Sequence, residues 1–332
     1  MGTDPATVRI NLLAPDNLGG LSQDARLLRD ILVAAGHRVT WITDELPSRA
    51  LRVAAPLLAT GLVPRAHFNV FLEQVFEPYL PWARRNALIP NPEWTRPETQ
   101  RLLDRLDVVL AKTETARGLF ESIGRPTRFL GFTAEDRWAG AISAGSSTHV
   151  LHLAGRSRQK GTAAVLEVWR RHPEWPALTL VRWGFGAQPP LPGPLGPNVR
   201  VLEERLSEEA VRGLQRSHGI HACPSETEGF GHTLVEAMSC GAVVVTTDAP
   251  PMNELVGPDR GVLVRAGSGG RQNLGDLYHV STDALEMEMA RVLTMSTEER
   301  ACLGRRARAW FEENDREFRV RLPQVIAAVV QG

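Results

Sequence analysis

Twice along this 332-residue chain, short apolar runs alternate with helical repeats, and glycine- or proline-rich turns separate them. An apolar run without polar alternation suits a strand buried on both faces, and such strands build parallel sheets covered by helices. Residues 8–14 are such a run, and Leu21, Ala25, Leu28, Leu32 and Ala35 recur behind it at helical spacing. Gly36 stands where a helix ends, and residues 38–43 read as the next strand. A strand, a helix and a strand in this order form one crossover unit of a parallel sheet. Further strands are predicted at 69–72, 87–89, 107–111 and 127–131, with a helix over 115–123.

Composition changes at residues 139–148, AGAISAGSST, where small flexible residues dominate as in a linker. The alternation then restarts. Strands are predicted at 149–154, 178–183, 199–202, 219–222, 242–246 and 261–264, and helices at 162–170 and 208–215. Ser207 caps the second of these helices, with two acids in its first turn. Two or three helices end the chain, one starting at the capping box Ser296 to Glu299. The sequence therefore predicts an α/β protein of two Rossmann-like, doubly wound parallel-sheet domains facing a cleft. The first domain spans 1–140, the linker 141–148 and the second domain 149–312; residues 313–332 form a helix returning to the first. Residues 265–279, RAGSGGRQNLGDLYH, read as an insertion. Open parallel sheets bind ligands at the carboxyl ends of their strands, and clefts between domains hold small ligands.

The 38 basic residues balance 38 acidic ones, so there is no global field for nucleic acid or anionic membrane. Cys223, Cys240 and Cys302 make no disulfide framework, which suits a reducing cytoplasm. The N-terminus lacks the basic start and long apolar run of a secretory signal, and no apolar run is long enough to span a bilayer. The expected location is cytoplasmic. The apolar stretch 51–63, flanked by Arg49, Arg52 and Arg65, reads as a buried helix, with peripheral contact at the inner membrane face as the alternative. Lys112 and Lys160 are the only lysines in a chain that otherwise uses arginine, which makes each a question.

The most informative stretch is ETEGFGHTLVEAM, residues 226–238, followed by SCGAVVVTTDAP. Glu228 and Glu236 flank a glycine–aromatic–glycine turn and the start of an apolar helix that Gly241 ends. Gly229 and Gly231 allow close backbone approach to a ligand. The N–H groups of Phe230, Gly231, His232 and Thr233 face the same opening. A helix N-terminus carries about half a positive charge and favours an anion by ~0.3–1 kcal/mol, more when sheltered. Glu236, in the second turn, is placed to accept two ribose hydroxyls; Glu228, before the turn, is placed to meet a sugar hydroxyl. Acids are favoured near helix starts in any case, so the signal lies in the glycine turn between two of them.

Upstream, HLAGRSRQKGT ends a strand at Gly155 and puts Arg156 and Lys160 in the turn before the next helix. Two cations at a strand's carboxyl end can clamp a diphosphate, with charge-assisted bonds of ~1.5–3 kcal/mol each. A solvated basic loop is the plain alternative, and the rarity of lysine weighs against it at Lys160.

These stretches carry a resemblance. GR-x-x-x-KG, PS-x-x-E-GFG-x-x-x-x-EAM-x-x-G-x-VV, Asn253–Glu254–Leu–Val and Gly261–Val–Leu–Val resemble the retaining glycosyltransferases of family 4, the group 1 glycosyl transferases of the GT-B fold. The segment GGLSQDARLLRDILVAAGHRVTWIT is similar to the first β-α-β unit of the same family. The resemblance implies transfer of a sugar from a UDP- or GDP-linked donor to a hydroxyl acceptor, with retention and without a metal or other cofactor. It implies Arg156 and Lys160 on the diphosphate, Glu228 on the donor sugar and Glu236 on the ribose. It also implies Gly155 and the 229–233 backbone beside sugar and phosphate, with Gly19 and Gly20 closing from the first domain. Three departures stand out. The Arg156–Lys160 spacing is one residue shorter than usual, His232 replaces a small or aliphatic residue, and Glu203–Glu204–Arg205 replaces a glycine near the expected nucleobase.

On the acceptor side, Glu73, Asn91 and Glu93 lie at or just beyond strand ends of the first domain. His67 reads as a loop residue, and Trp94 and Trp138 as packing residues. His218, His221 and Cys223 are close in sequence, but strand alternation and the lack of a fourth ligand argue against a metal. Rival readings are a nucleotide-sugar epimerase or phosphorylase on the same scaffold and a non-catalytic nucleotide-sugar-binding protein. A dehydrogenase would want G-x-G-x-x-G after the first strand, which NLGGLSQD does not supply.

Overall fold

The structure is a computed structural model describing residues 7–17, 19–43, 65–138, 140, 147–184, 191 and 193–331. Stretch 51–63 and most of the 139–148 strip lie outside the described residues. The chain divides into two compact units, Met1–Phe132 with Asn273–Gly275 and Arg316–Gly332, and Thr133–Gln272 with Asp276–Asp315.

The first unit contains β1 (Arg9–Leu13), α1 (Gly20–Ala34), β2 (Arg38–Ile42), β3 (Ala66–Leu72), β4 (Ala83–Ile89), β5 (Val108–Ala111), α2 (Glu114–Ser122) and β6 (Thr127–Phe129). The strands pair in parallel in the order β2-β1-β3-β4-β5-β6. Phe71, Leu88 and Val109 on central strands and Phe120 on α2 are buried together, as apolar strands under helices should be. His67, expected in a loop, sits on β3, where its Nδ1 accepts from the Arg9 N–H at 2.9 Å. A buried amide ladder sets the register. Asn11 pairs opposite Asn69 and Asn69 opposite Asn86, and Asn69 Nδ2 donates to Asn86 Oδ1 at 2.8 Å. Asn11 Nδ2 donates to Asn69 Oδ1 at 2.9 Å.

The second unit contains β7 (Val150–Gly155), α3 (Thr162–Arg171), β8 (Leu178–Arg182), β9 (Val199–Leu202), α4 (Glu208–Ser217), β10 (Ile220–Cys223), α5 (His232–Ser239), β11 (Val243–Asp248), β12 (Val262–Gln272), β13 (Gly275–Val280) and α6 (Thr282–Thr294). Its sheet order is β13-β12-β11-β10-β7-β8-β9. The strands from β12 through β11, β10, β7 and β8 to β9 pair in parallel. Val150, Leu180, Ile220, Val243 and Val262 form the central layer of its core, with Trp169 and Met289 from the helices. Ser207 and Ser281 cap α4 and α6 through their side chains.

The presumed insertion at 265–279 is part of the sheet. β12 runs on to Gln272, and a two-residue link leads directly into its neighbour β13, so the two form an antiparallel hairpin. Helix α7 (Thr297–Gln331) begins at the expected capping box, Ser296 N–H donating to Glu299 Oε2 at 2.7 Å and Glu299 N–H to Ser296 Oγ at 3.2 Å. Its residues to Asp315 belong to the second unit, and from Arg316 onward to the first, where Phe318 packs on Phe132 at 5.0 Å between ring centroids. Among the described residues no helix is long and apolar enough to cross a membrane.

Candidate functional site

In the second sheet β7 leads outward to β8 and β9, whereas β10 leads the other way to β11 and β12. The loops after β7 and β10 therefore part at a topological switch point, the crevice where open α/β sheets take ligands. Arg156 to Lys160 form the first loop, and Pro224 to Gly231 the second.

The two loops are tied together by backbone and side chains. Glu226 N–H donates to Gln159 O at 2.8 Å. Gly161, the residue before α3, has φ +67°, and a Cβ there would run into the Pro224 carbonyl oxygen, so glycine is required for the approach. Below the loops, His152 Nδ1–H donates to Ala222 O at 2.7 Å and its Nε2 accepts from Thr162 Oγ1 at 2.9 Å. Burial pushes the His152 pKa down to about 4, so the ring is neutral and its tautomer fixed. Thr247 Oγ1 donates to Ser225 O at 2.6 Å and holds the second loop from β11.

This scaffold brings Lys160 and Glu228 together. Lys160 Nζ donates to Glu228 Oε1, and Ser225 Oγ donates to the same oxygen at 2.7 Å. An ammonium has three N–H donors, so Lys160 can hold Glu228 and still reach a phosphate oxygen. Gly231, at φ +106°, turns the chain into α5 with its backbone closely packed on Leu234 and Leu255. That turn presents the N–H groups of His232 and Thr233 at the helix start. Phe230 is buried and meets His232 edge to face, with 5.6 Å between ring centroids. The Thr233 Oγ1 atom is buried and has no hydrogen-bond partner among the described residues.

Arg156 and Glu236 take other positions. The Arg156 guanidinium carbon lies 5.1 Å from the Trp183 ring centroid, and that of Arg205 lies 5.5 Å from it. Two cations thus share one indole at the carboxyl ends of β7, β8 and β9. Glu236 is buried, with Oε1 accepting from Arg137 Nη2 at 2.7 Å and Oε2 from Gln215 Nε2 at 2.8 Å. A ribose at Glu236 would have to share these oxygens or displace Arg137. Burial works against the Arg137 charge, but Glu236, Glu135 and Glu208 outweigh it and raise its pKa above the usual value.

In the first unit, Gly19 N–H donates to Asn17 Oδ1 at 2.9 Å, and Gly20 opens α1. Glu73 follows β3 with φ +65°, unusual for a residue with a side chain. Asn91 Oδ1 accepts from Lys112 Nζ at 3.1 Å. Glu93 is buried in a short 3-10 turn. Trp94, expected to pack, is 39% exposed. Trp138 carries Arg308 over its ring at 5.1 Å.

His218 and His221 are each hydrogen-bonded within the second unit. His218 Nε2 bonds Thr179 Oγ1 at 3.0 Å, and His221 Nε2 bonds Gln215 O at 3.2 Å. Burial pushes the Cys223 thiol up to about 12. Among the described residues no group of three His, Cys, Asp or Glu is placed to hold a metal.

Sequence reading missed the supports. Gln159 Nε2 donates to Gln272 Oε1 at 2.8 Å, and Tyr278 N–H donates to Glu226 O at 2.8 Å, so the β12–β13 hairpin walls the candidate loops. Ser225 was visible only as part of the PS motif. Arg137 gave no local signal, because its partner is 99 residues away.

Residues 148–274 match the family model described as glycosyl transferases group 1. GDP-mannose:cellobiosyl-diphosphopolyprenol alpha-mannosyltransferase of Xanthomonas oryzae pv. oryzae is 28% identical over 171 residues, 47% of this chain and 44% of that protein. The match thus spans under half the length of that relative. Sucrose-phosphate synthase from Thermosynechococcus elongatus superposes with a TM-score of 0.73 at 14% identity, over 97% of this chain and 99% of that one. HepE of Anabaena, solved with UDP and glucose, gives 0.67 at 17% identity over 98% and 100%. At these identities the likeness shows the fold, two doubly wound parallel-sheet units of GT-B type.

Proposed function

We propose that this chain, whose residues 148–274 match the family model of the group 1 glycosyl transferases, moves a sugar from a nucleoside-diphosphate sugar to a hydroxyl acceptor with retention and without a metal. The observation that carries the reading is the Lys160–Glu228 contact at the switch point of the second sheet, next to the start of α5. It joins a cation for the diphosphate and a carboxylate for the sugar in one place. The Thr233 hydroxyl, buried and unpartnered, offers a further polar group to the donor. The mannosyltransferase relative names a GDP sugar and the HepE structure holds UDP, so both bases remain candidates.

In this reading Lys160, Arg156 and the amides of His232 and Thr233 take the charge that develops on the leaving diphosphate, which is the part a metal would otherwise play. The bond from the anomeric carbon to the phosphate oxygen breaks. The acceptor oxygen bonds the same carbon on the same face, and its proton passes to the departing diphosphate. Glu228 holds a donor-sugar hydroxyl, Gly155, Gly229, Phe230 and Gly231 let the backbone lie against the donor, and Glu236 shares its carboxylate with the ribose.

Calorimetric titration with UDP, GDP, ADP and NAD, without added metal, tests the reading. Selective binding of one nucleoside diphosphate supports it and fixes the base. No heat with any of the four removes the donor site.

A further inference from the structure

We propose that Glu73 is the acceptor-binding carboxylate of the first unit, and that the acceptor it takes is a neutral, hydroxyl-rich sugar or polyol; this rests on the transferase reading above. The first sheet has its own switch point. β1 leads to β2 on one side, and β3 leads to β4 and β5 on the other. Glu73 is the first residue after β3 and stands at that crevice. It is held at φ +65°, a conformation disfavoured for a residue with a side chain, by its N–H bond to Ile89 O at 2.9 Å.

The surroundings decide what Glu73 can bind. Lys112, at the end of β5, pairs with Asp24 of α1 at 2.5 Å, and the two side chains are 3% and 4% exposed. Lys112 also donates to Asn91 Oδ1 at 3.1 Å, and its ammonium lies 4.6 Å from the Phe132 ring centroid. That cation is already matched by a carboxylate and a side-chain amide. Glu73 itself is half-buried, and its carboxylate makes no hydrogen bond or ion pair with a described residue. Burial raises its pKa; Lys112 opposes the rise, Asp24 adds to it, and Arg96 opposes it from the following turn. A phosphate dianion would meet an unneutralised carboxylate and a lysine committed elsewhere. Hydroxyl groups donate to a carboxylate and meet no such conflict. Lys112, singled out in the sequence by its rarity, thus positions Asn91 and α1 around Glu73.

The test uses the full chain, the nucleotide selected by calorimetry and its sugar donor. Acceptor probes are methyl α-D-glucopyranoside and methyl α-D-mannopyranoside, against glucose 6-phosphate and mannose 6-phosphate. In Glu73→Gln the nucleotide Kd should stay within about twofold, while transfer to the glycosides falls by at least about tenfold, the scale of one lost charged hydrogen bond. The acid limb of the wild-type rate profile should lie above the ordinary carboxylate range and vanish in Glu73→Gln. Unchanged transfer in the variant, or a preference for the 6-phosphates, overturns the proposal. Saturation-transfer NMR reads the site without turnover: wild-type protein should bind the methyl glycosides and Glu73→Gln should not. Equal binding by both, or none by wild type, also overturns it. A wild-type protein that binds the glycosides through Glu73 but no nucleotide counts against the donor reading alone.

Discussion

Arg137 Nη2 donates to Glu236 Oε1 at 2.7 Å, with the two side chains 1% and 6% exposed. A buried pair of this kind is costly to break from one side, because the remaining charge stays buried without its partner. Glu236→Ala should therefore destabilise the second unit by ~3–5 kcal/mol, and a double variant Arg137→Met, Glu236→Leu by clearly less. Urea unfolding followed by tryptophan fluorescence reads both. If Glu236→Ala lowers nucleotide affinity at unchanged stability, the carboxylate serves the ribose and the ion pair is incidental.

Lys160→Ala should weaken nucleoside-diphosphate binding by ~1.5–3 kcal/mol, the value of one charge-assisted bond, or roughly ten- to 150-fold in Kd. Glu228→Gln should spare binding and lower kcat. Calorimetry and steady-state rates separate the two. Equal loss of binding in both variants would mean that the Lys160–Glu228 contact acts as one structural brace.

His152 and His221 make the second unit acid-sensitive. Burial holds both at about 4 in the folded chain, against an ordinary value of 6.5. Between these values the unfolded chain binds protons that the folded chain refuses, so stability falls as pH drops from 6.5 towards 4. The full loss approaches ~3 kcal/mol per histidine below that window and disappears above it. His221 Nε2 bonds the Gln215 backbone carbonyl oxygen at 3.2 Å, and His221→Gln should flatten part of the fall in denaturant titrations across this range.

Gly161→Ala adds a Cβ where the Pro224 carbonyl oxygen stands, at a φ of +67°. The loop after β7 must then shift, with a stability loss on the order of 1–3 kcal/mol and displacement of Lys160. Thermal unfolding and nucleotide titration of one sample measure both effects. A variant of wild-type stability and affinity would show that the loops need not touch.

The strands were legible because parallel strands are apolar on both faces; β1, β7, β10 and β11 all fall within a residue or two of their expected limits. The β12–β13 hairpin was not, because RAGSGGRQNLGDLYH is rich in glycine and polar residues and most of its side chains stay partly or fully exposed. Lys160 and Glu228 were legible as motif residues, and the structure joins them. The Glu236 environment was hidden because Arg137, distant in sequence, fills it. Trp94 was misjudged because a large aromatic suggests packing, whereas its short turn turns it outward. The asparagine ladder escaped notice because three polar residues on three strands have no periodicity to reveal them.

The first unit is assembled from separated pieces of chain, with Phe318 covering Phe132 only when residues 316–331 are in place. During synthesis, β1 to β6 leave the ribosome well before that cover exists, while most of the second unit is made in between. The domain begun first is thus the domain finished last. A nascent chain stalled after α6 would carry its whole candidate donor loop set and still expose the Phe132 face to chaperones.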